Sequence, residues 1–171
     1  MTRHKNRRPL YTEAERKRRD ESRWTLVQGV LAPLQFLVFL VSFALVIRYL
    51  GSGEGYLAAT VSIVVKTLIL YVIMVTGSIW ERVVFGRWLF ARSFFWEDVV
   101  SMLVLALHTA YLAALLLGIM EARQQMLLAL AAYAAYVINA TQFVLKLRSA
   151  RLEQSQSAPP VRGTAAGYAV E

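Results

Sequence analysis

The chain has 171 residues, of which 57% are apolar and only 18% are charged, and its mean hydropathy is +0.47. This composition is typical of a membrane protein and excludes an ordinary soluble domain. Because the chain has no cysteine, it has no disulfide, thiolate metal site or cysteine nucleophile. The net charge of +8 comes from residues beside apolar segments, which favours membrane topology over nucleic-acid binding.

The N-terminal segment, residues 1–23, is strongly basic, with nine Lys or Arg against four Asp or Glu. Thr12 and Glu15 have the spacing of a capping box, which predicts a short polar helix. The apolar segment that follows is too long for a signal peptide and lacks a small-residue cleavage pattern. We therefore expect residues 1–23 to be a solvated, basic cytoplasmic arm that can lie on anionic lipid.

Four apolar segments follow, and each is long enough to cross a hydrocarbon core, which needs about 20 helical residues. They predict an all-α integral membrane domain at residues 24–148, a four-transmembrane-helix bundle with spans at about 24–49, 56–80, 95–118 and 124–147. Residues 149–171 are rich in Gln, Ser, Ala, Pro and Gly, which predicts a disordered C-terminal tail.

The first two spans contain polar residues that hydrocarbon does not tolerate without partners. Gln28, Gln35 and Ser42 recur at intervals of seven residues, so they lie on one helix face that is expected to contact other helices. Lys66 lies well inside the second span, where a central lysine costs about 2.5 to 3.5 kcal/mol. It therefore needs either a carboxylate as an ion-pair partner or an anionic substrate group.

The third span begins with two carboxylates and has a histidine in its middle. Glu97 and His108 are eleven positions apart, which places them about 20° apart on one helix face. Glu97 and Asp98 have two interpretations. Either both are solvated carboxylates that interact favourably with the N-terminal end of the helix dipole, or one is partly buried and acts as a general acid. Being adjacent, they point about 100° apart and are not expected to share a proton.

His108 has three open interpretations. It is a neutral histidine bonded to a carbonyl group of a neighbouring helix, a proton carrier, or an axial ligand to a metallotetrapyrrole. No second histidine supports a protein metal site, because the other one is His4 in the arm. In the fourth span, Asn139, Gln142 and Lys146 share one helix face, where amides are more often interhelical contacts than catalytic groups.

Lysine and arginine are distributed unevenly between the two ends of the spans. Sixteen lie in the N-terminal arm, the 81–98 connection and the segment from residue 146 onward, whereas Arg48 and Arg123 lie at the opposite ends. The positive-inside rule therefore predicts that both termini and the middle connection are cytoplasmic. This orientation puts the two carboxylates near the cytoplasmic side, and Lys66 and His108 near mid-depth.

Four stretches together resemble one enzyme family: GVLAPLQFLVFLVSFALVIRYL, TVSIVVKTLILYVIMVTGSIWERVVFG, FFWEDVVSMLVLALHTAYLAALL and MLLALAAYAAYVINATQFVLKLR. The family is the 3-vinyl bacteriochlorophyllide hydratase of bacteriochlorophyll biosynthesis, and the resemblance covers roughly residues 10–152. It implies a lyase that hydrates the C3 vinyl group of a chlorophyllide or bacteriochlorophyllide to a 1-hydroxyethyl group, with no cofactor. It also implies a multi-pass protein of the photosynthetic intracytoplasmic membrane of a bacterium.

The implied reaction needs an acid for the terminal vinyl carbon and a base for the attacking water. We expect Glu97 or Asp98 to be the acid, and His108 to be the base or a contact to the pigment's magnesium. The substrate-binding candidates are Lys66, which is expected to face the propionate, and Gln35, Asn139 and Gln142. Expected partners are the magnesium tetrapyrrole, membrane lipid, and a second copy or another pigment-pathway enzyme that encloses the macrocycle; nucleic acid is not expected.

Two other functional classes fit the same residues. A non-catalytic pigment carrier or assembly protein would bind the tetrapyrrole, with His108 as magnesium ligand, and release no product. A small transporter would be built around Lys66 and Glu97, but the chain lacks the inverted internal repeats of many transporters.

Overall fold

The computed structural model describes residues 10–157, with side chains to residue 152, and it is helical with no strand in that range. Its helices are α1 (Glu13–Glu21), α2 (Arg23–Ser52), α3 (Tyr56–Phe85), α4 (Phe95–Leu117) and α5 (Ala122–Ser157). Helices α2 to α5 are long and apolar enough to cross a membrane. The predicted all-α, four-span integral membrane architecture is therefore confirmed, whereas the cytoplasmic position of the termini stays a prediction.

Tight glycine turns join α2 to α3 at one end of the bundle. Gly53 and Gly55 have φ values of 75° and 85°, in the left-handed region that residues with a Cβ avoid. The Gly53 N–H donates to the Tyr49 carbonyl, which satisfies one of the last free carbonyls of α2. Pro33 lies inside α2, which continues through it. We call this end of the bundle the glycine-turn end.

The bundle is held together by polar contacts from α2, besides its apolar core. Gln28 donates to Thr76 of α3 at 2.7 Å. Ser42 is fully buried and is hydrogen-bonded to Ser62 of α3 and to Tyr133 of α5. The expectation that the polar face of the first span contacts other helices is thus confirmed.

The other end of the bundle, the connection end, carries the α3–α4 connection at residues 86–94 and the short helix α1. The predicted capping box is present, since Thr12 and Glu15 bond each other's backbone N–H groups. Tyr11 is only 3% exposed and stacks on Phe85 with ring centroids 5.7 Å apart. The expectation of a solvated arm is therefore wrong for Tyr11, whose burial composition does not reveal, whereas α1 itself has no buried residue. Residues 1–9 of the predicted arm lie outside the described residues.

The last helix extends further than expected. Helix α5 continues through residues 149–157, which the sequence analysis assigned to a disordered tail. No glycine or proline occurs in this stretch to end the helix, and the next proline along the chain is Pro159. Ala150 is buried in the same cluster as Tyr11. Residues 158–171, the rest of the predicted tail, lie outside the described residues.

Candidate active site

The α3–α4 connection has an unusual backbone at Phe90, whose φ is 58°. A bulky residue seldom adopts a positive φ, and such strain persists only where the surrounding structure imposes it. Here the Phe90 N–H donates to Asp98 at 2.8 Å, and the next N–H, of Ala91, donates to Glu81 at 3.2 Å. Successive N–H groups in a turn form a concave anion site. The connection therefore holds two carboxyl groups side by side.

Glu81 and Asp98, the carboxyl pair, come from the end of α3 and the start of α4. They are 5% and 4% exposed, and each accepts one of the two successive N–H groups of the connection. Two buried carboxylates held by neighbouring N–H groups disfavour each other's ionisation, which favours a state with one proton on the pair. The pair can therefore hold one proton beside a carboxylate.

Glu97 has a different partner from its neighbour Asp98. Its carboxylate accepts from Lys146 of α5 at 2.6 Å, with the two side chains 10% and 26% exposed. This short charge-assisted bond is typical of an ionised carboxylate. The two adjacent acids thus point to different helices, as their angular separation predicts, and only Asp98 belongs to a carboxyl pair.

A second polar group, the mid-bundle pair, consists of Lys66 of α3 and His108 of α4, both fully buried. The Val104 carbonyl lies 2.8 Å from His108 Nδ1, so Nδ1 carries the hydrogen and donates to it. His108 Nε2 then accepts from Lys66 Nζ at 2.9 Å. Lys66 Nζ also lies 4.2 Å from the ring centroid of Tyr136, a cation–π distance. Both ring nitrogens of His108 are occupied by protein groups.

The ion-pair alternative for Lys66 is not what the structure shows. Within the part of the chain that the structure describes, no carboxylate oxygen lies within 4 Å of Lys66 Nζ. The partners of Lys66 Nζ are instead the lone pair of His108 Nε2 and the ring faces of two tyrosines of α5. Lys66 therefore has partners without a neutralising charge.

Three amide side chains, one on α2 and two on α5, form a third feature. Gln35 is 2% exposed, and neither its amide oxygen nor its nitrogen has a hydrogen-bond partner among the described residues. One turn later on α2, the ring centroid of Phe39 lies 5.0 Å from the ring centroid of Tyr136 of α5. Because these helices are antiparallel, Gln35 lies level with Asn139, one turn after Tyr136.

The other two amides are also only partly satisfied. Asn139 donates to Ser101 at 2.7 Å, but its oxygen is buried without a partner in the described chain, as is the oxygen of Gln142. Leaving a buried polar group unpaired costs about 1 to 3 kcal/mol. Such groups are typical of sites that bind water or a polar ligand group.

The sequence placed some of these residues well and missed others. The buried face of α4 includes Glu97, Ser101 and His108, as the helical spacing predicts. Glu81 was missed because it follows the second span and resembled part of an interfacial connection. Tyr136 was missed because the alanine-rich stretch around it suggested only close helix packing. Lys146 was noted on the face of Asn139, and that spacing was the available signal.

Fold and site together define a multi-pass helical membrane protein with buried carboxyl, lysine and histidine side chains. Residues 11–149 match the family described as 2-vinyl bacteriochlorophyllide hydratase (BCHF). The chain is 66% identical over 148 residues to the 2-vinyl bacteriochlorophyllide hydratase of Rhodobacter capsulatus, covering 86% of each chain. It is also 66% identical over 146 residues to the protein of that name from Cereibacter sphaeroides, covering 85% of this chain and 91% of that one. No solved structure matches. The chain belongs to the 2-vinyl bacteriochlorophyllide hydratase family.

Proposed function

We propose that this chain is a hydro-lyase that adds water to the vinyl group of a bacteriochlorophyllide or chlorophyllide in bacteriochlorophyll biosynthesis. The observation that carries the proposal is the 66% identity to two proteins named for this reaction, over most of the chain. Those names place the vinyl group at carbon 2, which in the systematic numbering of the macrocycle is carbon 3. The proposal therefore concerns the same group that the resemblance implies.

The carboxyl pair has the composition that this reaction needs. Hydration requires a proton for the terminal vinyl carbon, which leaves a cation at the inner carbon, conjugated with the macrocycle. Water then attacks the inner carbon and loses a proton to a base. A pair with one proton supplies the acid, and its remaining carboxylate accepts the proton from water, so the pair ends in its starting state. Glu81 and Asp98 thus serve as acid and base without any redox step.

Asp98 is the better candidate acid of the two that the sequence proposed. Glu97 is held as an anion by Lys146 and has no proton to deliver in this arrangement. His108 as base would first have to exchange the Lys66 ammonium for water, because its Nε2 lone pair is already used. We therefore assign Lys66 and His108 the role of holding α3 against α4, and keep the base role of His108 as the alternative to test.

An aromatic surface beside the carboxyl pair suits a flat pigment. The N–H group of Phe90 donates to Asp98. The ring centroid of Phe95 lies 5.8 Å from that of Phe90 and 5.5 Å from that of Trp96. These three rings are 38%, 44% and 68% exposed. Exposed aromatic rings at a membrane interface are common in themselves. We propose that the macrocycle lies on these rings, since they adjoin the proton donor.

The three amides complete the proposed site. Gln35, Asn139 and Gln142 have free hydrogen-bonding atoms in the described structure, and we assign them to the substrate's polar groups or to the attacking water. The proposed location is the photosynthetic intracytoplasmic membrane, which contains the pathway's pigments. A second copy or another pathway enzyme is the proposed cover for the outer face of the macrocycle.

The test is a turnover assay in membranes that contain this chain. With a 3-vinyl chlorophyllide, we expect the absorbance shift and the mass increase of one water, absent from membranes without the chain. Asp98→Asn should lower the rate by a factor of about 100 or more, the lower range for a lost general acid. Glu54→Gln, an exposed carboxyl at the glycine-turn end, is the matched control and should be unaffected. Pigment that binds with its mass unchanged would instead establish a carrier.

A further inference from the structure

A small cavity opens at the connection end, between α1 and the α3–α4 connection. Its volume is about 270 Å³. Drug-sized ligands occupy pockets of about 300 to 1,000 Å³, so this one is too small for a tetrapyrrole but large enough for a carboxylate side arm. The residues that line it are Glu15, Phe85, Arg87, Ala91, Arg92 and Ser93.

The charges around the cavity favour an anion. Arg87 and Arg92 contribute two exposed guanidinium groups, and neither lies within 4 Å of a carboxylate of the described residues. The single acid, Glu15, already accepts the Thr12 N–H at 2.8 Å in the capping box. Ser93 donates its hydroxyl hydrogen to the Leu10 carbonyl at 2.9 Å, which ties α1 to the cavity wall. Two cations therefore face this space with one anion that is already engaged.

The cavity adjoins the carboxyl pair through the backbone. Ala91 lines the cavity and donates its N–H to Glu81. Phe90, next to it, donates to Asp98 and presents its ring to the proposed pigment surface. An anionic arm in the cavity would thus belong to a molecule whose apolar body lies on the aromatic rings beside the acid.

We infer that Arg87 and Arg92 bind the propionate carboxylate of the substrate and so orient the macrocycle against the carboxyl pair. This inference rests on the proposed function. Arginine is suited to the role because its planar guanidinium binds a carboxylate through two parallel hydrogen bonds. The cavity is at a helix end, where a carboxylate stays near water, whereas Lys66 is fully buried and bonded to His108. The enzyme accordingly distinguishes the free acid from its ester.

The experiment compares the free-acid pigment with its methyl ester, which lacks the negative charge. For the wild type, we expect a KM at least about tenfold lower for the free acid than for the ester, from the loss of a charge-assisted contact. Arg87→Gln/Arg92→Gln should raise the KM for the free acid to that of the ester and should abolish the difference between the two substrates. Arg123→Gln, an exposed arginine at the glycine-turn end, is the matched control.

Several outcomes would overturn the inference. The two arginines do not bind the carboxylate if the wild type has the same KM for acid and ester, or if the double variant still has a lower KM for the acid. An equal rise of KM for both substrates, reversed by added anionic phospholipid, would assign the cavity to a lipid phosphate. All of these require wild-type turnover, so they leave the proposed hydratase intact. Absence of wild-type turnover with either substrate would instead remove the proposed function and this inference with it.

Discussion

The carboxyl pair and the mid-bundle pair are both buried and both join α3 to α4, yet they differ in what remains available for chemistry. Glu81 and Asp98 lie where the helices end, held by a connection that also lines a cavity, and the proposed function assigns them a transferable proton. Lys66 and His108 lie inside the bundle, and both nitrogens of the imidazole ring are bonded to protein groups.

This difference shows that burial of an ionisable residue does not by itself indicate a functional role. An ionisable group inside a membrane is a functional candidate by default. Its partners then decide whether its reactive lone pair or proton is free. By that criterion, we propose the connection end as the reactive region and the middle of the bundle as the structural one.

The largest expected effect is on the carboxyl pair itself. Glu81→Gln should lower kcat by a factor of about 100 or more, as should Asp98→Asn, because each variant removes the transferable proton or its acceptor. The double variant Glu81→Gln/Asp98→Asn should be no slower than the worse single variant, because the two groups act as one unit.

The measurement is kcat for all three variants, together with their thermal unfolding in detergent. Glu121→Gln, an exposed carboxyl at the opposite end, serves as control. If the losses of the single variants multiply in the double variant, the two carboxyl groups act independently and the shared-proton assignment is wrong.

The mid-bundle pair should affect stability more than turnover. His108→Phe leaves the Lys66 ammonium group without its acceptor, and Lys66→Met leaves Nε2 of His108 without its donor, so each should lower stability by about 1 to 3 kcal/mol. The double variant should recover part of that loss, since no unpaired group remains. Turnover per folded molecule should fall by far less than the factor of about 100 expected for a lost acid or base.

Thermal unfolding and kcat of the folded fraction separate these effects. A His108→Phe variant that is folded but inactive, beside an active Lys66→Met variant, would restore His108 to the base role that the sequence suggested. The comparison between the two regions would then fail.

The smallest expected effect is at the ion pair of Glu97 and Lys146. Since Lys146 is partly exposed, solvent screening limits the pair to about 1 kcal/mol or less. Glu97→Gln should therefore cost little stability and little turnover. The exchanged variant Glu97→Lys/Lys146→Glu should unfold close to the wild type, because it keeps the attraction. A Glu97→Gln variant without turnover would show that Glu97, and not Asp98, is the acid.

The sequence by itself determined the membrane class, the four spans and the polar face of α4. Charge-free apolar segments have few alternatives to spanning helices, since every backbone polar group must be satisfied internally in hydrocarbon. Helical periodicity likewise placed Glu97 and His108 on one buried face. These properties depend on residues close in the chain, and local patterns are enough to predict them.

Only the tertiary structure decided which polar groups meet. Glu81 is 17 positions before Asp98, and their proximity depends on the path of residues 86–94, including the left-handed backbone of Phe90. Likewise, Lys66 met a histidine 42 positions away and not a carboxylate. The spacing of residues on one helix does not reveal how the neighbouring helix is rotated or how far it is shifted along its axis. Rotation and shift decide which side chains come within hydrogen-bonding distance, and therefore which partner a buried charged group has.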